Sequence, residues 1–238
     1  MDAQSIGEVW DRVTGTQPAP PGWLALATGA AALILVTVRP VWRISRNAVT
    51  IAHEGGHGLA ARLTGRRLAG IRLHSDTSGL TLSYGHPTGP GMVLTAAAGY
   101  TTPALLGLGC AALLAAGRLT LLLWLAIALL LALLVRIRNA FGLFSVLLTG
   151  AAFFLVSWFG STELQAGFAY LAGWFLLLGA VRPVLELQHQ RRRGQAQDSD
   201  ADQLARLTGV PGLAWITLFL VVALVCLAIG ASWLLRPL

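Results

Sequence analysis

Residues 50–65 read TIAHEGGHGLAARLTG and place His53, Glu54 and His57 inside a stretch that otherwise has the composition of a membrane-buried helix. On an α-helix, side chains four positions apart lie on the same face, so the two imidazoles can point at one atom. Glu54 follows the first histidine and is rotated aside. A carboxylate at bilayer depth costs about 2.5–3.5 kcal/mol, and for this reason ionisable side chains inside a span usually mark a functional site.

The H-E-x-x-H spacing predicts a zinc site. Two histidines one helical turn apart supply two ligands, and the acid between them can reach a metal-bound water without binding the metal itself. Zinc lowers the pKa of its water to about 7 and polarises a carbonyl group, while Glu54 would accept the proton as general base. Such a string also arises by chance. Glu54 is the only acid between Asp11 and Asp76, however, and this favours metal-assisted hydrolysis.

Gly55 and Gly56 fill the variable positions of the motif. Glycine inside a helix costs about 1 kcal/mol relative to alanine, so two in succession require an explanation. Either another backbone comes close to the metal-bearing face, or these are the small residues found wherever membrane helices pack together. The sequence leaves both interpretations open.

The composition of the whole chain is that of a polytopic membrane protein. Of its 238 residues, 55% are hydrophobic and 11% are charged, and the mean hydropathy is +0.69. The net charge is +7, and all 17 residues counted as Lys or Arg are arginines. We expect this positive charge to orient the protein and to contact the lipid bilayer, not nucleic acid. Cys110 and Cys226 fall in apolar runs and are predicted to be packing residues.

The apolar runs predict an all-α polytopic membrane protein with six to seven transmembrane helices and a small membrane-associated β-hairpin. A polar N-terminal segment, 1–22, precedes a single transmembrane metallopeptidase-like domain, 23–238. Residues 65–90 alternate apolar and polar side chains around Gly79, which predicts the hairpin, and residues 182–212 form a polar connector. The predicted spans are 23–38, 47–64 (the polar one), 92–116, 119–135, 140–159, 165–181 and 213–235.

The arginines predict the orientation in the membrane. If the hairpin, the 136–138 turn and the connector share one side with the N-terminus, that side holds twelve arginines and the other holds five. The larger number favours the first side as cytoplasmic, although Arg39, Arg43 and Arg46 count against it. In either orientation, the alternation of seven spans puts the hairpin and the acidic connector on the same face.

These residues resemble the site-2 protease family of intramembrane zinc metalloproteases, in particular its short bacterial members. The resemblance rests on HEGGH in an early span, the hairpin after it, and AAAGYTTPA at 96–104, and it covers roughly residues 45–160. It implies a zinc metalloendopeptidase of the bacterial plasma membrane. In RNAFGLF, Asn139 is similar to the asparagine that begins a later family motif. The resemblance implies that the amide of Asn139 binds an extended substrate backbone. The alternative is that this amide forms a capping or interhelical hydrogen bond.

The chain departs from the family at the third zinc ligand. Family members usually carry an aspartate about eight residues after that asparagine, but position 147 is leucine, and no acid lies between Asp76 and Glu163. A catalytic zinc site needs three protein ligands and a water, so another residue must complete this one. We predict Asp200, because Ser199 and Asp202 form a capping-box-like helix start that leaves Asp200 free. The alternatives are Asp202, Glu186, Asp76 and His74.

The predicted function is a membrane-embedded zinc metalloprotease that hydrolyses a peptide bond of a membrane protein or peptide substrate within or beside the bilayer. In this prediction His53, His57 and Asp200 bind zinc, Glu54 is the general base and Asn139 binds substrate. Two alternatives remain open: a catalytically silent scaffold of the same fold, and a proton- or metal-coupled transporter, since buried ionisable groups mark transport pathways too. The sequence specifies neither the substrate nor the oligomeric state.

Overall fold

The computed structural model describes residues 3–18, 20–195 and 198–236, which form helices and one two-stranded antiparallel sheet. The helices are α1 (Ala3–Thr14), α2 (Gly22–Thr37), α3 (Arg39–Leu63), α4 (Pro90–Ala115), α5 (Leu119–Leu134), α6 (Ala140–Phe159), α7 (Thr162–Arg192), α8 (Asp200–Thr208) and α9 (Gly212–Leu234). The strands are β1 (Arg67–Leu73) and β2 (Gly79–Tyr84), which confirms the predicted hairpin. The predicted polar connector is helical as far as Arg192 and again in α8.

The predicted count of six to seven spans is not confirmed. Within the described residues, four helices are long and apolar enough to cross a membrane: α4, α6, α7 and α9. The helices α2 and α3 give a fifth candidate only when they are taken together as one span that is bent by 101°. The sequence pattern predicts two separate spans here. Helix α5 is apolar but has only 16 residues, so the run at 119–135 gives a shorter helix than a span needs.

Proline explains the bend between α2 and α3. Val38 is extended, and Pro40 follows in the first turn of α3, where its missing N–H leaves the carbonyl of Val36 without the helical donor. The guanidinium of Arg182 on α7 donates a hydrogen bond to that carbonyl. The break is therefore stabilised by a side chain from another helix, and it turns α3 by 101° from the direction of α2.

Helix α7 packs against α2, α4 and α9 at the centre of the molecule. Glycines occupy the closest approaches. A Cβ atom built on Gly107 of α4 would lie 2.8 Å from the backbone nitrogen of Leu177, and one on Gly29 of α2 would lie 3.3 Å from the ring of Trp174. Small residues at such crossings let helix backbones come together without the hydrophobic driving force that water provides.

The hairpin is fastened along one edge only. Ile71 of β1 donates its N–H to the carbonyl of Arg136 at 2.8 Å and accepts from the N–H of Arg138 at 2.9 Å, so the 136–138 turn adds a short parallel bridge. On the other side, β1 pairs with β2 in antiparallel register, with Ile71 opposite Thr81. Among the described residues, the far edge of β2 has no strand beside it, so β2 is the free edge of the sheet.

The packing revises the predicted orientation. Gln17 accepts from the N–H of Thr120 through its side chain and donates its own N–H to Gly117, so the N-terminal segment lies at the end remote from the hairpin; its predicted position beside the hairpin is wrong. The 39–46 segment lies at the hairpin end, because α2 terminates there. Fourteen arginines then share the hairpin end, and the other end keeps Arg12, Arg118 and Arg236. The positive-inside rule consequently favours a cytoplasmic hairpin more strongly than the sequence alone did.

The α4–α7 crossing provides a test of the fold. We expect Gly107→Ala to lower stability by about 1–3 kcal/mol, because its Cβ would press on the backbone of Leu177 and force the helices apart. Gly109→Ala, two positions along the same helix, faces open space and should leave stability unchanged or slightly raised. Thermal unfolding in detergent measures both, and equal midpoints for the two variants would contradict the packing described.

Candidate metal centre

His53 and His57 lie one turn apart on α3, as their spacing predicts. Their rings meet edge to face, with centroids 4.7 Å apart, and their Nε2 atoms are 3.1 Å apart. The ring of Tyr100 on α4 packs edge-on against His53 at 4.8 Å and stacks on Phe219 of α9. Both imidazoles are therefore held with the same nitrogen facing one point.

Asp200, the first residue of α8, completes a triangle of donor atoms. Its Oδ2 atom lies 3.2 Å from Nε2 of His53 and 3.3 Å from Nε2 of His57. Three ligands at the corners of a tetrahedron with bonds of about 2.0 Å are about 3.3 Å apart, so the triangle has the dimensions that a zinc ion requires. These three residues form the group that could hold a metal ion in the described part of the chain.

The tautomer of His57 is fixed by a backbone carbonyl. Nδ1 of His57 lies 2.7 Å from the carbonyl oxygen of Thr95 on α4. A carbonyl can only accept, so Nδ1 carries a proton, and Nε2 is the nitrogen that would be available to a metal. Metal-binding histidines commonly have such a partner, because it orients the ring and raises the basicity of the other nitrogen.

Helix α8 is held in place by its own N-terminus and by α7. The hydroxyl of Ser199 accepts from the backbone N–H of Asp202, which is the predicted cap, and Asp202 also forms an ion pair with Arg191 at the end of α7. These contacts leave the carboxylate of Asp200 free to face the histidines. Burial alone would raise the pKa of Asp200, but the adjacent His57 and His53 hold it below its ordinary value, so the carboxylate is anionic.

Glu54 lies in the same cavity and is held by the hairpin. The residue is 5% exposed, and its Oε2 atom accepts a hydrogen bond of 2.6 Å from the hydroxyl of Thr81 on β2. Gly79 at the start of β2 packs directly on this carboxylate, where a Cβ atom would come within 2.6 Å of it. The cavity, of about 430 Å³, is lined by residues of α3, β2, α4 and α8, so the carboxylate and the three donor atoms face one common space.

Glycines give the face of α3 that carries the two imidazoles its clearance. A Cβ atom on Gly99 of α4 would lie within 2.6 Å of Nε2 of both His53 and His57, so any side chain there would enter the space between the imidazoles. Gly56 faces α4, and its Cβ would lie 2.9 Å from the carbonyl of Ala98, whereas that of Gly55 would make an ordinary 3.8 Å contact with Leu133. Close backbone approach thus explains Gly56, and ordinary helix packing explains Gly55.

The other candidates for the third ligand are occupied elsewhere. Glu186 accepts from Trp42 at 3.0 Å and from Arg182 at 2.8 Å. Asp76 accepts from the backbone and hydroxyl of Ser78 in the hairpin turn, and these hydrogen bonds lower its pKa. His74 contacts the same hydroxyl at 3.2 Å, and the carboxylate of Asp202 is engaged by the hydroxyl of Ser199 and by Arg191.

Asn139 and Leu147 do not lie in the cavity. The amide of Asn139 binds the backbone of β1, since Nδ2 donates to the carbonyl of Leu73 at 2.6 Å and Oδ1 accepts its N–H at 3.2 Å. The amide thus holds an extended backbone, but one that belongs to this chain; contact with substrate stays a prediction. Leu147, at the position of the usual family aspartate, is 49% exposed on α6 and takes no part in the site.

Sequence reasoning missed three residues of the centre. Thr95 orients His57 through its backbone, Thr81 holds Glu54, and Gly99 makes room for the imidazoles. A backbone carbonyl leaves no mark on a sequence. The run AAAG at 96–99, however, indicates a close helix approach, and the alternation of β2 places Thr81 on one face with Gly79.

A comparison with family models supports this architecture. The model described as Peptidase M50B-like matches residues 26–230, and the chain belongs to that family, which confirms the resemblance to site-2 proteases. With the apolar helices, the match makes the chain a multi-pass membrane protein of a peptidase family. Comparisons with curated proteins and with solved structures gave no match.

The clearance at Gly99 can be tested by metal content. Gly99→Ala should lower the bound divalent ion per chain well below that of the wild type, because its methyl group would displace the imidazole nitrogens. Gly55→Ala makes the same change within the HEGGH motif on the face away from the site and should keep the metal. Elemental analysis of purified protein compares them, and an unchanged ion content in Gly99→Ala would contradict the geometry.

Proposed function

We propose that this protein is a zinc metalloendopeptidase that hydrolyses a peptide bond within or beside the bilayer of the cell membrane. The observation that carries the proposal is the position of Asp200: its Oδ2 atom lies 3.2 and 3.3 Å from the two imidazole nitrogens of an H-E-x-x-H helix. A chance motif gives no reason for a carboxylate about 145 residues away to meet both rings. Membership of the Peptidase M50B-like family supports the same activity.

The residues of the cavity divide the chemistry between them. His53, His57 and Asp200 would hold the zinc, which when bound lowers the pKa of a water molecule and polarises the scissile carbonyl. Glu54 is the residue that would accept a proton from the attacking water and donate a proton to the leaving amine. The hydroxyl of Thr81 orients the carboxylate for both transfers, and the carbonyl of Thr95 keeps His57 in its ligand tautomer.

The free edge of β2 is the proposed binding site for the substrate backbone. The N–H and carbonyl of Ile71 point away from β2, toward the 136–138 turn. In an antiparallel pair, the residue opposite also points its groups outward, so the backbone groups of Thr81, and by alternation those of Gly79 and Ser83, face the free edge. An extended peptide that added here as a strand would run beside Glu54.

Strand addition also explains how a membrane helix could be cut. The carbonyls of a helical substrate are hydrogen-bonded four residues along, so the segment must unwind before water can attack. Pairing with the β2 edge replaces the hydrogen bonds that unwinding breaks, at a depth where unsatisfied backbone groups cost several kcal/mol. The substrate class that follows is a membrane protein or peptide with a segment that unwinds easily.

Replacing the proposed general base tests the enzyme directly. Glu54→Gln should retain the bound metal, because the three donor atoms are untouched, and should lose cleavage by about 10²–10⁴-fold. Labelled casein and a panel of single-span peptides in micelles serve as substrates, and mass spectrometry detects the products.

The alternatives give different results in the same experiment. A silent scaffold produces no Glu54-dependent product from any peptide, and a transporter loses ion uptake into vesicles on the same substitution while neither form cleaves. Either result would end the peptidase proposal.

The substrate edge is tested by removing one N–H. Ser83→Pro deletes a donor on the free edge without breaking a β1–β2 hydrogen bond, and proline is tolerated on edge strands. We expect cleavage to slow by about 2- to 10-fold, the value of one hydrogen bond. Ser83→Ala loses the same contact with Arg66 but keeps the N–H, and should cleave at nearly the wild-type rate. Equal rates for the two variants would remove the strand-addition proposal.

A further inference from the structure

A second cavity, of about 470 Å³, lies beside the metal centre at the bend between α2 and α3. Four arginines line it together with Trp42 and the hairpin turn 75–77; they are Arg39, Arg43, Arg46 and Arg182. Its volume is within the range of small-molecule sites. It shares Arg46 and Thr77 with the metal cavity, so the two spaces adjoin.

Two of the four cations are already fixed by protein groups. Arg182 donates from Nε to Glu186 at 2.8 Å, donates to the carbonyl of Val36, and lies 4.9 Å from the centre of the Trp42 ring. Arg46 lies 3.6 Å from the second carboxylate oxygen of Glu186. One acid therefore faces two arginines at the wall of the cavity: Arg182 is held by hydrogen bonds, and Arg46 lies within ion-pair distance.

The other two cations have no acidic partner among the described residues. Arg39 and Arg43 lie one turn apart at the start of α3 and are exposed, and no ion pair reaches either of them. Asp76, the acid in the cavity wall, is engaged by Ser78. The first turn of α3 also lacks an acidic residue, so its free N–H groups add partial positive charge at the same place.

We propose that this cavity binds a phosphate group, with Arg39 and Arg43 as its ligands and Arg182 and Arg46 as the fixed cations behind it. Guanidinium groups bind phosphate through paired hydrogen bonds, and basic pockets between membrane helices on the cytoplasmic side bind anionic headgroups. The proposal does not depend on peptidase activity.

The surroundings favour a phospholipid as the source of that phosphate. Ile34 and Val38 at the end of α2 are 55% and 41% exposed, and Ile44, next to Arg43, is 81% exposed. Apolar side chains at this exposure, directly beside unpaired arginines, fit a molecule with a charged head and an acyl tail. An anionic lipid such as phosphatidylglycerol has both, whereas free phosphate uses only the arginines.

The test compares two pairs of arginines that carry the same charge at the same end of the molecule. Arg39→Gln with Arg43→Gln removes the cavity pair, and Arg192→Gln with Arg193→Gln removes an exposed pair at the end of α7, outside the cavity. Native mass spectrometry of the full chain counts retained phosphatidylglycerol and phosphatidylcholine, with inorganic phosphate as competitor. A third variant, Arg39→Lys with Arg43→Lys, keeps the charge if the glutamine pair does not fold.

We expect the cavity pair to weaken phosphatidylglycerol binding by about tenfold and the exposed pair by less than about twofold, with phosphatidylcholine held less well throughout. If inorganic phosphate displaces the lipid at a similar concentration, and the variant without Arg39 and Arg43 no longer binds phosphate, the same site binds phosphate from a soluble molecule. Equal losses in both pairs, or no binding of either probe by the wild type, would overturn the proposal. Zinc content and cleavage in detergent without anionic lipid test the peptidase separately.

Discussion

The structure depends on one contact between distant parts of the chain, the approach of the Asp200 carboxylate to the imidazoles of His53 and His57. Two histidines on a helix give two ligands at most, and a centre that activates water needs a third. The third donor comes from α8, a short helix that follows α4 to α7 in the chain. The site therefore forms only when these intervening helices have packed and brought α8 to α3. A change that displaces α8 from α3 would remove the third donor atom and leave the H-E-x-x-H motif itself unchanged.

The remaining contacts around the site limit that displacement. Arg191 and Asp202 tie α8 to the end of α7, and α7 in turn packs against α2, α4 and α9. On the opposite wall, Thr81 and Gly79 hold Glu54 against the hairpin, and the hairpin is fastened to the 136–138 turn through β1. The carboxylates of Asp200 and Glu54 are thus held by different parts of the fold, α7 and the hairpin, and both face the cavity beside the imidazoles of α3. The free edge of β2 runs along the base, so substrate binding and proton transfer would use adjacent atoms.

Much of this was predictable from the sequence, for identifiable reasons. The motif on α3 and the hairpin follow from local periodicity, which is why His53, His57 and the strand alternation were recognised. The span count failed because hydropathy does not reveal a bend at Pro40, and the sidedness of the N-terminus failed because the contact of Gln17 with Gly117 joins residues 100 positions apart. Asp200 was predictable because the capping-box-like pair Ser199 and Asp202 accounts for Asp202 and leaves Asp200 free to face another part of the chain. The roles of Thr95 and Gly99 depend on how α4 crosses α3, which no local pattern specifies.

The coordination sphere itself is the most direct test of the account. Zinc K-edge X-ray absorption on the purified protein should show two imidazole nitrogens and one carboxylate oxygen at about 2.0–2.2 Å. Asp200→Asn should lose the carboxylate and at least about tenfold in zinc affinity, whereas Asp198→Asn, two residues earlier with a carboxylate that is 94% exposed, should match the wild type. An unchanged spectrum and affinity in Asp200→Asn, or the absence of stoichiometric metal in folded wild-type protein, would contradict it.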